Sequence, residues 1–223
     1  MMDKGLVIFD LDGTLLDTIG DLAEACNYML GLRGLGLHTR EEYAKMVGNG
    51  ILNLVKRALP EELRTPEYVE AAREDFLSYY TANIDRYTTP YDGIREVLHT
   101  LQEVGWCLAV ASNKFDDGTQ KLVASIFPEV EFKAIYGNRE GFPLKPDKAL
   151  LDLIMGECGA TVENTFMVGD SGVDMQTAKN AGVCSVGCTW GFRLREELEE
   201  YGADYIVEKP LELLDIFNQL KSK

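Results

Sequence analysis

Histidine is scarce in this 223-residue chain, which has only His38 and His99, distant in sequence and without metal-ligand spacing. With the five cysteines Cys26, Cys107, Cys158, Cys184 and Cys188 they form no zinc-type pattern. The odd cysteine count fits reduced thiols in a cytoplasmic protein, with oxidation of Cys184 and Cys188 left open. Basic residues are also few, 22 against 37 acids, for a net charge of −15. No basic run and no aromatic–basic alternation is present, so nucleic acid is not an expected partner. The chain shows no signal-type segment and no apolar run long enough to span a bilayer, which predicts a soluble protein with no membrane partner. Internal repeats and low-complexity stretches are likewise missing. What remains, a 46% hydrophobic chain, is enough for a substantial core.

The most informative stretch runs from Leu6 to Thr18: Leu-Val-Ile-Phe-Asp-Leu-Asp-Gly-Thr-Leu-Leu-Asp-Thr. Its short, sharply bounded apolar run reads as a buried parallel strand. Asp10 and Asp12 follow at i and i+2, so strand alternation points both toward one side at the carboxyl end. Two carboxylates that close repel unless a cation lies between them, and a hard cation such as Mg²⁺ is the natural neutraliser. Gly13 permits a tight turn whose N–H groups can face an anion. The pattern suggests metal-assisted chemistry on a phosphate-type group.

Helical periodicity predicts helices over 18–32, 40–58 and 67–85, with no convincing strand between 18 and 88. Residues 87–93 read as a linker. Strands are then expected at 106–111, 132–136, 165–168, 183–186 and 204–207. Helices alternate with them at 94–104, 115–126, 146–158, 172–181, 193–200 and 210–221. Such alternation predicts an α/β fold: a parallel sheet with helices on both faces, interrupted by an all-helical insert. Thr18 is of a type suited to cap the first helix.

Ligands of open α/β sheets bind beyond the carboxyl ends of strands. There the chain places Ser112-Asn113-Lys114, then Pro143-Leu144-Lys145-Pro146-Asp147, then Gly169-Asp170-Ser171-Gly172-Val173-Asp174. With Asp10 and Asp12 these supply acids, a hydroxyl, a lysine and glycine turns at one edge.

These four segments, in order, resemble the four motifs of the haloacid dehalogenase-like hydrolase superfamily, over essentially the whole chain. The resemblance implies a Rossmann-like core of residues 1–16 and 89–223, and a mobile helical cap domain of residues 17–88. It implies a Mg²⁺-dependent phosphatase acting on a small phosphorylated metabolite, as a monomer or homodimer. By the resemblance Asp10 is the nucleophile and Asp12 the general acid and base. Metal is expected from Asp10, the backbone carbonyl of Asp12, and Asp170. Asp174 is expected to bind metal water or to orient Lys145. Ser112, Asn113 and Lys145 are expected at the phosphate.

An acid at position 12 argues against a dehalogenase, which has no alkoxide to protonate. The Met46-Val47-Gly48-Asn49-Gly50 turn, Asp17-Thr18-x-x-Asp21-Leu22, and Thr189-Trp190-Gly191-Phe192-Arg193 resemble the phosphoglycolate phosphatase subgroup. Gly48, Asn49 and Gly50 are therefore expected to dip toward the substrate with exposed N–H groups, and Arg64 is a further specificity candidate in the cap. Pyrophosphatase and sugar-phosphate phosphatase readings share every core motif. β-Phosphoglucomutases carry a His shortly after the first motif, where this chain has Ile19-Gly20-Asp21. A catalytically silent binding protein on the same fold would be expected to have lost one of the motif residues.

Overall fold

The structure, a computed structural model, describes residues 5–48 and 50–219. In chain order its elements begin with β1 (Leu6–Phe9), β2 (Leu16–Asp17), α1 (Ile19–Leu32), α2 (Arg40–Met46), α3 (Ile51–Ala58) and α4 (Pro66–Tyr80). There follow β3 (Thr89–Pro90), α5 (Ile94–Glu103), β4 (Cys107–Phe115), α6 (Asp116–Ile126), β5 (Phe132–Asn138) and α7 (Ala149–Cys158). The chain continues through β6 (Thr165–Gly169), α8 (Gly172–Ala181), β7 (Cys184–Cys188), α9 (Arg195–Glu200), β8 (Tyr205–Val207) and α10 (Glu212–Gln219).

Six strands form one sheet in the order β5-β4-β1-β6-β7-β8, parallel at every pairing. The apolar run of β1 is explained by its central place, with neighbours on both edges and cover on both faces. Val7 and Phe9 face a cluster with Ile94, Val97 and Leu101 of α5, Leu122 of α6 and Phe217 of α10. Leu6 and Ile8 face the opposite way, onto Leu150, Leu151 and Ile154 of α7 and Ala178 of α8. The period of two along the strand thus divides the core into two layers.

Between β2 and β3 the described chain is helical, as the periodicity predicts. Leu22, Cys26 and Met29 of α1 pack with Val69, Ala72 and Phe76 of α4 in an apolar interior continuous with one face of the sheet core. The helix expected over 40–58 is two helices. Thr39 and Glu42 cap the start of α2 by a reciprocal pair of bonds, Glu42 N–H to Thr39 Oγ1 at 3.3 Å and Thr39 N–H to Glu42 Oε2 at 2.7 Å. The break follows from Gly48 and Gly50, whose φ values of 103° and 83° leave the helical region. Thr18 stands at the first-helix cap position, yet its buried hydroxyl has no partner and makes no cap bond. The neighbouring Asp17 accepts from Ile19 N–H at 3.2 Å instead.

A two-stranded antiparallel ribbon, β2 with β3, lies where the chain enters and leaves the helical segment, pairing Leu16 with Pro90 and Asp17 with Thr89. Beside it, buried Asp21 accepts bonds from Tyr87 N–H at 3.0 and 3.1 Å, Thr88 N–H at 2.8 Å and the Thr88 hydroxyl at 2.6 Å. The carboxylate clasps both crossings together.

Candidate active site

Adjacent strands β5, β4, β1 and β6 bring the singled-out residues to one edge of the sheet. Asp10 follows β1 directly, and its N–H is held by Val168 O of β6 at 2.9 Å. Asp170 follows β6, and Asp174 lies in the first turn of α8, where its Oδ2 accepts from the Ser171 hydroxyl at 2.6 Å. Lys145 arrives on the loop after β5. The Asn113 carboxamide fixes that loop, accepting from Lys145 N–H at 2.8 Å and donating to Lys145 O at 3.0 Å. The side chain of Asn113 is thereby engaged with the lysine's backbone.

The Lys145 ammonium is fully buried between Asp10 Oδ1, 2.9 Å away, and Asp174 Oδ1, 2.7 Å away. Asp10, Asp170 and Asp174 each offer a carboxylate oxygen, and these oxygens lie within 4.8 Å of one another. Burial pushes Asp10 up to about 7, against the pull of Lys145 and with the repulsion of Asp174 and Asp12 behind it. Burial also drives Asp170 well above the usual carboxylate range, reinforced by Asp174 and Asp10. Burial would lower Lys145, but Asp10 and Asp174 overcome it and hold the ammonium above its ordinary range.

One lysine does not balance three buried acids. A hard divalent cation suits this all-oxygen donor set and would relieve the repulsion. The surroundings hold Asp170 in place: Phe192 N–H donates to its Oδ2 at 2.7 Å. A Cβ on Gly13 would fall 2.4 Å from that oxygen, and one on Gly191 would fall 2.3 Å from Gly13 O and 2.4 Å from Asp170 Cβ. Both positions need glycine because backbone closes on the carboxylate from two sides.

The Asp12 carboxylate stands apart from this triad. It receives the Lys114 ammonium at 3.0 Å and 3.3 Å. Lys114 donates also to the Tyr80 hydroxyl of α4 at 2.6 Å. Ser112 is buried next to these groups and its hydroxyl accepts from Lys114 N–H at 3.2 Å.

The strand expected to end at Ala111 continues through Ser112, Asn113 and Lys114 to Phe115, with a register shift against β5 between Ala111 and Phe115. That extension puts Ser112 and Lys114 two residues apart on one strand, on a shared side. The same alternation could have marked Lys114 as a site residue once Ser112 was one. No sequence signal marks Tyr80, which comes from a different helix.

The helical segment reaches the site at further points. The Cβ position of Gly50 lies 3.8 Å from Asn113 O and from Leu144 Cδ1, so the glycine turn approaches the catalytic edge. Gly48 sits beside Arg193, 3.2 Å from its Cβ position to the guanidinium. Asn49 lies outside the described residues. Arg193 donates to Ala44 O at 2.8 Å and also to Val47 O, tying the loop after β7 to the end of α2. In the same loop Trp190 Nε1–H donates to Thr14 O at 3.0 Å. Arg64 instead turns to the end of α3, donating to Leu59 O at 3.0 Å and Arg57 O at 3.3 Å. No disulfide joins the five cysteines, all of which lie among the described residues. Among the described residues no helix is long and apolar enough to cross a membrane.

Residues 7–188 match the haloacid dehalogenase-like hydrolase family. A phosphoglycolate phosphatase of Agrobacterium fabrum is 36% identical over 190 residues, covering 84% of this chain and 81% of its own. One from Pseudomonas syringae pv. syringae is 34% identical over 222 residues, covering 96% and 78%. A predicted phosphoglycolate phosphatase from Haemophilus somnus, solved as a crystal structure, superposes with a TM-score of 0.88 at 27% identity, covering 97% of this chain and 99% of its own. A match of this extent, on a parallel sheet with the acidic edge described above, establishes that the chain belongs to the haloacid dehalogenase-like hydrolase family.

Proposed function

We propose that this protein is a Mg²⁺-dependent phosphatase that hydrolyses a small phosphorylated metabolite, 2-phosphoglycolate before others, through an aspartyl-phosphate on Asp10. The observation that carries the reading is the division of labour between the two first-strand acids. Asp10 sits in the triad beside Lys145, while Asp12 is held separately by Lys114. This separation supports one carboxylate as the nucleophile and the other as the proton carrier. The relatives named above, each called a phosphoglycolate phosphatase, support the choice of substrate.

In this reading an Asp10 oxygen attacks phosphorus in line, its new O–P bond forming as the ester P–O bond breaks. Asp12 gives its proton to the departing alkoxide. It then takes a proton from the water that attacks the aspartyl-phosphate, releasing phosphate and restoring Asp10. Ser112, with N–H groups near Leu11 and Asn113, holds phosphoryl oxygens, and Lys145 adds fixed positive charge. Asp10, Asp170 and the Asp12 carbonyl would hold Mg²⁺, with Asp174 on Lys145 or a metal water. When bound, the ion would neutralise charge on the nucleophile and the phosphate together. Residues 17–88 act as the cap domain, with Gly48 and Gly50 over the substrate, and residues 1–16 with 89–223 as the core domain. Cysteines outside any disulfide accord with a cytoplasmic enzyme, acting as a monomer or homodimer.

The test is phosphate release from 2-phosphoglycolate with Mg²⁺ and with chelator. Fast metal-dependent release, well above that from pyrophosphate or β-glucose 1-phosphate, is expected. Asp10→Asn is expected to abolish it, and Asp12→Asn to leave a slow, labelled phosphoenzyme. Turnover retained by Asp10→Asn would remove Asp10 as nucleophile.

A further inference from the structure

Lys114 is the second buried ammonium at the catalytic edge, and its neighbours differ from those of Lys145. Lys145 is held by Asp10 and Asp174, on the side of the nucleophile and the acidic triad. Lys114 is held by Asp12, and its side chain is 2% exposed. Its other partner is the Tyr80 hydroxyl, at the carboxyl end of α4 in the helical segment. The ammonium therefore bridges core and helical segment next to the acid.

The general acid of an ester cleavage must meet the ester oxygen, so the leaving group departs on the acid's side of phosphorus. A cation fixed 3.0 Å from Asp12 is accordingly within the space of the leaving group rather than that of the phosphoryl group. An ammonium carries three donors; one reaches the Tyr80 hydroxyl and the Asp12 carboxylate is met through both oxygens, at 3.0 Å and 3.3 Å, so a ligand anion would take over one of the Asp12 contacts. A charged side chain is costly to bury merely to steady a neighbour, whereas a ligand anion gives it a purpose. In 2-phosphoglycolate the carboxyl carbon is two bonds from the ester oxygen, which places a carboxylate next to the acid's contact.

We propose that Lys114, steadied by Tyr80, is the residue that selects phosphate monoesters whose leaving group bears a carboxylate close to the ester oxygen. The assignment rests on the phosphatase reading above and names the substrate class of that site. Lys114 belongs to the core, so the choice between charged and neutral leaving groups is made beside the acid, and the helical segment supplies the hydroxyl that fixes it.

The experiment uses two matched pairs of probes. For turnover, kcat/KM is measured for 2-phosphoglycolate and for 2-hydroxyethyl phosphate, which lacks the carboxylate. For binding without chemistry, calorimetry compares 3-phosphonopropionate with propylphosphonate in the presence of Mg²⁺. Each pair is run on the wild type, Lys114→Met, Lys114→Arg and Tyr80→Phe, with melting curves to confirm folding. Loss of one charge-assisted hydrogen bond is worth roughly 10- to 100-fold. The wild type should favour the carboxylated member of each pair by about that factor, and Lys114→Met should bring both ratios to within about 3-fold of unity. Lys114→Arg should keep part of the preference, and Tyr80→Phe should lie between.

If Lys114→Met lowers both members of a pair equally, its role is only to position Asp12 and the proposal fails. If the wild type turns over phosphate esters but shows no carboxylate preference in either pair, the substrate class fails while the phosphatase reading stands. If the wild type turns over no ester at all yet binds 3-phosphonopropionate in a Lys114-dependent way, the phosphatase reading fails and the anion selection stands. Should Lys114→Met not fold, the wild-type ratios and Tyr80→Phe decide the matter alone.

Discussion

Replacing Asp10 by Asn should make the metal-free protein more stable while making it inactive. Burial raises Asp10 from its ordinary 3.8 to about 7, a net position that already includes the attraction of Lys145. An acid that binds its proton more tightly when folded costs stability once the pH passes its unfolded value. The penalty grows as pH climbs through the folded value and is complete above it. For Asp10 that window runs from 3.8 to about 7. At about 1.4 kcal/mol per pH unit its ceiling is about 4 kcal/mol. The side chain is only 13% exposed, so solvent screening removes little of this. The amide of Asn keeps an acceptor for Lys145 and discards the charge. A gain of about 2–4 kcal/mol at pH 8 in chelator follows, or roughly 4–16 °C in Tm for a chain of this size. The assay is a pair of melting curves, wild type against Asp10→Asn, in chelator at pH 5 and pH 8. The gap should be large at pH 8 and shrink at pH 5, where the wild-type carboxyl is protonated. Saturating Mg²⁺ should raise the wild type far more than the variant. If Asp10→Asn melts at or below the wild type at pH 8 in chelator, or the gap ignores pH, the account of a repulsive acidic triad is wrong.

Gly191→Ala would drive a methyl into Gly13 O and Asp170 Cβ, so Asp170 must shift. Apparent Mg²⁺ affinity, read from activity titrations, should weaken by roughly 10-fold or more. Asp21→Ala leaves Tyr87 N–H, Thr88 N–H and the Thr88 hydroxyl without their shared acceptor. It should cost about 3 kcal/mol in denaturant unfolding, and an unchanged midpoint would show the clasp to be idle. Arg193→Met removes the bonds to Ala44 O and Val47 O. Amide exchange at residues 44–50 should quicken and KM for 2-phosphoglycolate should rise more than kcat falls; unchanged exchange would count against a tether at this point.

Much of the core was legible because each strand carries its own boundaries. β1 is a run of four buried apolar residues stopped by Asp10, and α8 spans residues 172–181 as its periodicity predicts. Elsewhere tertiary pairing overrode local pattern. Ser112-Asn113-Lys114 looks like a polar turn, yet β4 runs through it, its pairing with β5 skipping these residues and resuming at Phe115 with Asn138. The helix expected from residue 146 starts at Ala149, whose N–H is taken by the Asp147 carboxylate at 2.8 Å. The β2–β3 ribbon has two residues per strand, too short for any alternation to show. At the site, residues grouped in short motifs could be picked out, but contacts between distant segments could not. The Lys114–Tyr80 bond spans 34 residues, the Arg193–Ala44 bond 149, and neither leaves a trace in local spacing.

The antiparallel pairing of Leu16 with Pro90 and Asp17 with Thr89 means the chain departs from the sheet and rejoins it at one doorway. The four helices between have both of their ends side by side at that doorway, and Tyr80 and Ala44 tie them further to Lys114 and Arg193. Geometrically, a two-residue hairpin turn could replace them and leave the strand order β5-β4-β1-β6-β7-β8 undisturbed. Changes of length or sequence within the helical unit can therefore accumulate without moving Asp10, Asp170, Asp174 or Lys145 relative to one another. The sheet that carries the acidic edge and the helical unit are joined at the two crossings by two residue pairs and one carboxylate, Asp21, and are tied again by the Lys114–Tyr80 and Arg193–Ala44 bonds.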